Sequence, residues 1–255
     1  MGGTTIDHAE VERFGRLADK WWDETGEFAP LHRLNPARIG FIRDRVAARF
    51  GRDPLSLTAA TPSGPLAGLN LLDIGCGGGL ASEPLARLGA HVTGLDAAAR
   101  SIAAARDHAE RMGLAIDYRV GDIETLADGT ERFDVVLALE IVEHVADPGL
   151  FLRACASLVK PGGMLIASTL NRTAKAYALA IVGAEYVLRW VPRGTHDWKK
   201  FLKPSELARP LRTAGLDIAE LAGLVYSPVT GGWRIDPRDI DVNYMLVATK
   251  AGPVP

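Results

Sequence analysis

The N-terminal part of the chain carries the hydrophobic periodicity of helices. Apolar residues recur at three- and four-residue spacing from about His8 to Trp22, which predicts an amphipathic helix over that range. Asn35 followed by Pro36 is typical of a helix N-terminus, so a second helix is predicted from there to about Phe50. A stretch rich in Pro, Ser, Thr and Gly over residues 52–68 then predicts a flexible connector.

After the connector, short apolar runs alternate with helical patterns. This alternation predicts an α/β fold, in which helices cover both faces of a mostly parallel sheet. The predicted strands cover residues 70–74, 91–95, 116–120, 133–139, 164–169, 217–224 and 243–250, and the predicted helices cover residues 80–88, 98–112, 147–159 and a segment from about 205. The sheet is thus predicted to have seven strands.

The size and composition of the chain favour one domain. Its 255 residues are 47% hydrophobic and 24% charged, which is enough to bury one substantial core. We expect a helical cap at 1–51, the connector at 52–68 and a core at 69–255 with an insertion at 170–202.

Net charge and cysteine content limit the classes of function that are expected for this chain. The formal net charge is -2 and the isoelectric point about 6.3, so no basic surface is expected to gather nucleic acid. Cys76 and Cys155 fit neither a metal-type nor a disulfide spacing, and residues 1–16 contain no apolar run of a signal peptide. A cytoplasmic protein is expected.

The strongest candidate for chemistry is the glycine-dense run from Asp73 to Gly79, directly after the first predicted core strand. Glycines such as Gly75 and Gly77 let the backbone adopt positive φ and approach a ligand closely. A dinucleotide site would require a further glycine where Leu80 stands. Asp73 suits a cationic amino group better than a phosphate, which favours S-adenosylmethionine over a dinucleotide.

Two further acids follow predicted strands. Asp96 ends the second strand, where a carboxylate can accept hydrogen bonds from both ribose hydroxyls. Asp122 follows the third strand and is a candidate for the adenine edge, although a simple turn aspartate explains it equally well.

A cluster of ionisable residues follows the fourth predicted strand. If the segment opens a helix, Glu140, Glu143 and His144 share one face. They could then hold a divalent cation, or His144 could act as a general base. The alternative is a solvated helix start, since acids are favourable there.

The segment from Ala174 to Val191 is mostly apolar and is flanked by basic residues. It is too short and too charged to predict a membrane span. It could lie in a membrane interface rich in anionic lipid, or it could pack on the core of the protein.

These residues resemble the ubiquinone-biosynthesis O-methyltransferases, which are class I methyltransferases. The matching stretches extend over nearly the whole chain: Trp21-Trp22-Asp23, Gly26-Glu27-Phe28, Pro30 to Pro36, Asp73 to Gly79, Glu143-His144-Val145, Val159 to Gly163, Ser168 to Arg172, Val182 to Tyr186, Gly194 to Asp197 and Asp241 to Tyr244. The glycine loop is shared by methyltransferases generally, whereas the stretches from Pro30 and Gly194 are typical of this family.

The resemblance implies a Rossmann-like fold and methylation of polyprenyl catechols, namely 2-polyprenyl-6-hydroxyphenol and 3-demethylubiquinol. It also implies donor contacts at Arg38, Gly75, Asp96 and Leu139, where the family carries Met in place of Leu139. The guanidinium of Arg38 can pair with the methionine carboxylate.

The resemblance further implies a divalent cation, Mg²⁺ or another, at Glu140, Glu143 and His144. The expected location is the inner face of the membrane, bound peripherally, and the expected partners include other enzymes of ubiquinone biosynthesis. His144 or the cation would help the phenol, whose ordinary pKa is about 10, to lose its proton. Two other functions stay open: a non-catalytic prenyl-lipid binding protein and an NAD-dependent dehydrogenase.

Overall fold

The computed structural model describes residues 4–55, 64–179, 181, 197–227 and 231–253. Its strands are β1 (Asn70–Ile74), β2 (His91–Asp96), β3 (Asp117–Val120), β4 (Phe133–Leu139), β5 (Val159–Leu170), β6 (Leu216–Ser227), β7 (Gly232–Asp236) and β8 (Asn243–Lys250). They form one sheet in the order β3-β2-β1-β4-β5-β8-β6-β7. The first five strands pair in parallel, and β6, β7 and β8 add antiparallel pairs at one side.

Helices flank this sheet and precede it. They are α1 (His8–Arg16), α2 (Ala29–Arg49), α3 (Ser82–Arg87), α4 (Ala99–Arg111), α5 (Ile123–Asp128), α6 (Pro148–Leu158), α7 (Ala174–Ala176) and α8 (Pro204–Thr213). Short 3-10 turns lie at Ala18–Lys20, Val142–His144 and Trp198–Lys200. The α/β class and the mostly parallel sheet are therefore confirmed.

The core has a layer on each face of the sheet, and β4 shows why. All seven of its residues are buried, and successive side chains of a strand point to opposite faces. Val135 and Leu137 pack in the layer that contains Ile42 of α2. Val136 packs in the other layer, which contains Leu152 of α6. Strands that are covered on both faces have a nearly continuous run of apolar residues in the sequence, and β4 is such a strand.

The strand order reverses between β1 and β4, since β2 and β3 lie on one side of β1 and β5 lies beyond β4. In open α/β sheets, ligands bind in the crevice at the carboxyl ends of the strands where this reversal occurs. The loops after β1, β2 and β4 meet at that edge and therefore position the site.

The sheet has eight strands rather than the predicted seven. The additional strand is β7, which forms a hairpin with β6 and pairs Tyr226 with Trp233. Helix α5 was also not predicted. β5 begins at Val159 instead of residue 164. The register between β5 and β4 shifts within the strand, and this irregularity accommodates the predicted turn at Pro161-Gly162-Gly163.

The predicted N-terminal helices have the wrong bounds. α1 ends at Arg16 and a 3-10 turn follows, so no single helix reaches Trp22. α2 begins at Ala29 and contains Pro36 in its interior. The Asn35 side chain is used for tertiary contacts instead of capping: its amide donates to the carbonyl of Leu80 at 2.7 Å.

The apolar segment at residues 174–191, for which the sequence leaves open both a membrane interface and packing on the core, lies mostly outside the described residues. The described part begins with the short helix α7, whose N-cap Thr173 accepts a hydrogen bond from the Ala176 amide. None of the helices in the described ranges is both long and apolar enough to span a membrane. The single-domain arrangement stays a prediction.

Candidate active site

The loop after β1 has the backbone that its glycines predict. Gly75, Gly77 and Gly79 have φ values of 70°, 53° and 89°, in the left-handed region that favours glycine. At Gly77 a Cβ atom would lie only 2.4 Å from the Trp21 ring. Both the backbone conformation and the close approach of an indole therefore require glycine at this position.

Two acids stand beside the loop, the buried Asp73 and the partly buried Asp96. Asp73 accepts a hydrogen bond from the Ser82 hydroxyl at 2.6 Å, and burial raises the pKa of its carboxyl to about 6. Asp96 accepts from the amides of Gly77 at 2.9 Å and Ala98 at 2.8 Å. Burial also raises the pKa of Asp96. Since a carboxylate has about four lone-pair sites, Asp96 retains acceptor capacity for a ligand.

Asp122 has a structural role. It is the N-cap of α5, and its carboxylate accepts a hydrogen bond from the Thr125 amide at 2.7 Å. The residue also lines the cavity described below. The turn interpretation of Asp122 is thus realised, and contact with a ligand stays a prediction.

Arg38 of α2 enters the site as a buried cation, with only 4% of its surface exposed. Its guanidinium donates twice to the amide oxygen of Asn35, at 2.8 and 3.2 Å. Burial lowers the pKa of Arg38, against the opposing effect of the charges on Glu140 and Asp73. A guanidinium has five N–H donors, so this buried group can still bind an anionic ligand.

Glu140 follows β4 in a strained conformation. Its φ is 51°, which is uncommon for a residue other than glycine. Its side chain accepts hydrogen bonds from the Ser168 hydroxyl at 2.8 Å and the Asn243 amide at 3.2 Å. Such strain persists only where surrounding contacts hold it, as these contacts do here.

Glu143 is buried at the start of the same segment. Its carboxylate accepts a hydrogen bond from the Thr169 hydroxyl at 2.7 Å. Burial, together with the charge of Glu140, raises the pKa of Glu143 to about 7. The raised pKa favours the neutral form of this carboxyl.

His144 contacts the N-terminal cap. Its Nδ1 atom lies 3.3 Å from a carboxylate oxygen of Glu10, which belongs to α1. The edge of the Phe14 ring packs at 5.2 Å from the imidazole, ring centre to ring centre. The pairing with His144, opposed by partial burial, lowers the pKa of Glu10 to about 2, so this carboxylate is ionised at neutral pH.

The predicted metal set does not fit this arrangement. In the described part of the chain, no three His, Cys, Asp or Glu side chains converge as ligands for an ion. The expected helix is absent, because only a 3-10 turn covers Val142–His144 and α6 begins at Pro148. Glu140, Glu143 and His144 consequently face different partners, and the structure does not support a cation among them.

One cavity of about 740 Å³ brings the site residues together. All ten residues predicted from the sequence line it: Arg38, Asp73, Gly75, Gly77, Asp96, Asp122, Leu139, Glu140, Glu143 and His144. The sequence reasoning missed two other parts of the wall. These are the N-terminal residues Glu10, Phe14 and Trp21, and the hairpin residues Tyr226 and Trp233. The apolar alternation near Tyr226 was the one available signal for the hairpin.

The sequence and the fold are similar to those of known methyltransferases. Residues 72–167 match the family model described as a methyltransferase domain. The magnesium protoporphyrin IX methyltransferase of Synechocystis PCC 6803, solved with bound S-adenosylhomocysteine, aligns with a TM-score of 0.61 at 22% identity over 96% of this chain and 97% of that one. A methyltransferase from Thermotoga maritima, described as a possible histamine N-methyltransferase, aligns with a TM-score of 0.60 at 17% identity, covering 94% and 99% of the two chains. The chain is therefore an S-adenosylmethionine-dependent methyltransferase.

Curated relatives define the family. A ubiquinone biosynthesis O-methyltransferase of Azorhizobium caulinodans is 57% identical over 97% of this chain and 95% of the relative. A protein of the same name from Nitrobacter winogradskyi is 56% identical over 98% and 93% of the two chains. This chain belongs to the ubiquinone biosynthesis O-methyltransferase family, and the predicted family is confirmed.

Proposed function

We propose that this enzyme methylates phenolic oxygens of polyprenyl catechols, at both O-methylations of ubiquinone synthesis: those of 2-polyprenyl-6-hydroxyphenol and 3-demethylubiquinol. The observation that carries the proposal is one cavity that joins the glycine loop, the buried Arg38 and His144. A prenylated phenolic substrate agrees with the names of the relatives at 56–57% identity.

The donor half of the cavity has the chemistry that S-adenosylmethionine requires. When bound, the donor supplies a sulfonium methyl group. Arg38 would hold the carboxylate of its methionine part, and Asp73 would hold the ammonium. The buried state of Arg38, with donors to spare beyond Asn35, supports this assignment.

The nucleoside part of the donor would extend along the ends of β2 and β3. Asp96 would accept hydrogen bonds from the ribose hydroxyls with the acceptor sites that the amides of Gly77 and Ala98 leave free. Asp122 would bound the adenine, and Leu139 at the end of β4 would contribute apolar contact. Gly75 and Gly77 allow the backbone to approach the donor.

His144 would act as the general base. A phenol with a pKa near 10 is a poor nucleophile at neutral pH. The imidazole would take the hydroxyl proton as the oxygen attacks the methyl carbon, and the carbon–sulfur bond would break to release S-adenosylhomocysteine. No step is assigned to a cation, because no three His, Cys, Asp or Glu side chains of the described residues converge as ligands for one.

We also propose that the enzyme works at a membrane surface rich in anionic lipid. A long prenyl tail partitions into lipid, since each buried methylene contributes about 0.8 kcal/mol. Tyr177 and Leu179 are exposed by 48% and 54%, and Trp198 is also exposed, beside Lys199 and Lys200. Aromatic and basic residues together are typical of interfacial binding. Peripheral association with the inner face of the membrane, and contact with other enzymes of the pathway, are part of this proposal.

Flotation with liposomes tests the membrane proposal. The double variant Tyr177→Gln/Trp198→Gln should lose binding to anionic vesicles yet still methylate a short-tailed soluble catechol, because neither residue lines the cavity. The matched control is Leu55→Gln/Met112→Gln, because those residues are also exposed apolar side chains, at 72% and 52%. Equal flotation of both variants would refute this binding surface.

The methyl transfer itself is tested with labelled donor and a panel of prenylated catechols. We expect label on a phenolic oxygen of the product. A thermal-shift comparison separates the other interpretations, since a true ligand stabilises the fold by mass action. S-adenosylhomocysteine should raise the melting temperature and NAD should not. Stabilisation by NAD alone would favour a dehydrogenase, and donor binding without transfer to any catechol would favour a non-catalytic lipid-binding protein.

A further inference from the structure

The base candidate His144 is paired with an acid from a different part of the fold. The Nδ1 atom of its ring and the Oε2 atom of Glu10 are both buried and lie 3.3 Å apart. Within the described residues, neither atom has a partner of hydrogen-bond geometry. The Oε2 atom of Glu10 also lies 2.8 Å from Nη2 of Arg13, so the imidazole of His144 and the guanidinium of Arg13 face the same carboxylate oxygen. Both Glu10 and His144 line the cavity.

The carboxylate of Glu10 is held in place by several contacts. Lys200 lies 3.5 Å from its other oxygen and 3.2 Å from the carboxylate of Asp7, the N-cap of α1. Arg13, one turn later on the same helix, lies 2.8 Å from Glu10. The residues just before α1 are tied to the loop that precedes α6, since the Ala146 amide donates to the carbonyl of Thr5 at 2.9 Å. Glu10 thus reaches His144 in a defined position.

The ring of His144 is also constrained. Its backbone amide donates to the carbonyl of Ile141 at 2.9 Å, which closes the 3-10 turn. Phe14, four residues after Glu10 on the same face of α1, packs edge-on against the imidazole. One helix face therefore supplies both an apolar contact and a carboxylate to the ring.

We propose that Glu10 is a positioning residue, which holds the proton of the neutral His144 ring on Nδ1 and leaves Nε2 free to accept the phenolic proton. This inference rests on the proposed function, in which His144 is the base. A carboxylate is an acceptor only, so a ring nitrogen facing it must carry the hydrogen. The same logic operates where an aspartate orients the histidine of a serine protease.

In this arrangement, the ability of His144 to act as a base depends on the position of the N-terminal helix α1. Glu10 belongs to α1, whereas His144 follows β4 of the sheet. If α1 moved from the sheet edge, His144 would lose the partner that selects its tautomer. The base is therefore complete only while the cap covers the cavity.

The variant Glu10→Gln tests the inference, because the amide keeps the shape of the side chain but can donate a hydrogen to Nδ1. We expect the proton of the ring to move to Nε2, and kcat to fall by at least about tenfold while KM for the donor stays within about twofold. Glu10→Asp, which retains the charge, should recover part of kcat. Glu12→Gln is the matched control: it lies on the same helix with its side chain 76% exposed, and it should behave like wild type.

A second measurement is nitrogen NMR of the His144 ring, which reports the tautomer independently of enzyme activity. Wild type and Glu12→Gln should show hydrogen on Nδ1, and Glu10→Gln should not. The double variant Glu10→Gln/His144→Ala should be no slower than His144→Ala alone, since the two residues act as one unit. An unchanged tautomer, or a rise in donor KM with unchanged kcat, would overturn the inference. Absence of methyl transfer in wild type would instead refute the proposed function and leave the NMR result to decide the pairing.

Discussion

The two halves of the cavity are built in different ways. The proposed donor half consists of backbone and acids at the ends of adjacent parallel strands: the register pairs Ile74 of β1 with Leu95 of β2, and the Gly77 amide donates to Asp96. The acceptor half is assembled from separate elements: His144 follows β4, Glu10 comes from the N-terminal cap, and Trp233 comes from the β6–β7 hairpin.

Because the two halves are built differently, we expect donor binding to depend on one half and the chemical step on the other. The sheet edge is fixed by the core, and the fold is shared with methyltransferase structures that align at only 17–22% identity. The acceptor half depends on side chains that meet across elements, and it includes the part of the wall that α1 covers. Variants of the donor half should therefore weaken donor binding, and variants of the acceptor half should slow the chemical step.

The largest expected effect is that of His144→Ala. A positioned general base contributes about 10²- to 10⁴-fold to a rate, so kcat should fall within that range. Affinity for S-adenosylhomocysteine, measured by calorimetry, should stay within about twofold, because the imidazole does not belong to the donor half. A loss of donor affinity equal to the loss of kcat would abolish the distinction between the halves.

Asp96→Ala should show the reverse pattern. Loss of the ribose hydrogen bonds should weaken binding of S-adenosylhomocysteine by about 1–3 kcal/mol. Asp96→Asn should lose less, since its amide oxygen can still accept. The control Asp107→Ala removes an acid whose side chain is 69% exposed and should bind like wild type. Unchanged calorimetric affinity of Asp96→Ala would remove Asp96 from the donor site.

Glu143→Gln should change how stability depends on pH. The pKa of Glu143 in the folded protein is about 7, above its ordinary value of 4.5. Between these values the folded state binds more protons than the unfolded state, so wild-type stability falls as pH rises through this window.

Glutamine stays neutral, so the stability of the variant should not fall in this way as pH rises. Its unfolding free energy relative to wild type should rise by on the order of 1–3 kcal/mol between pH 5 and pH 8 in denaturant titrations. Glu12→Gln, at an exposed position, serves as the control. A constant difference across this pH range would contradict the raised pKa.

The smallest effect is expected from a chelator. Because no three acidic, His or Cys side chains in the described part of the chain converge as ion ligands, removal of divalent cations should change kcat by less than about twofold. Methyl transfer to a soluble catechol, with and without chelator, measures this directly. Loss of activity that is restored by Mg²⁺ would show that the acceptor half rearranges around an ion.

The backbone of the glycine loop and the strand-end position of Asp96 could be predicted from the sequence because their signals are local. Positive φ at Gly75 and Gly77, and the position of Asp96 at a strand end, follow from residue type and strand pattern alone. The acceptor half could not be predicted in this way. The contact of Glu10 with His144 depends on how α1 docks, and no periodicity encodes that docking.

Two errors have the same origin in tertiary contacts. Asn35 and Pro36 have the local signature of a helix start, but packing continues α2 through the proline and uses Asn35 to hold Leu80 and Arg38. The segment after β4 has residues compatible with a helix. There the contacts of Glu140 with Ser168 and Asn243 stabilise a strained, non-helical backbone instead.

The most direct test of the two-part site is a single-turnover experiment with labelled donor and a short-tailed soluble catechol. Wild type, Asp96→Ala and His144→Ala are compared at donor concentrations that saturate each protein. We expect Asp96→Ala to require more donor but to reach a transfer rate near that of wild type, and His144→Ala to bind donor normally but to transfer slowly. If Asp96→Ala stayed as slow as His144→Ala at saturating donor, binding and chemistry would not be divided between the two halves.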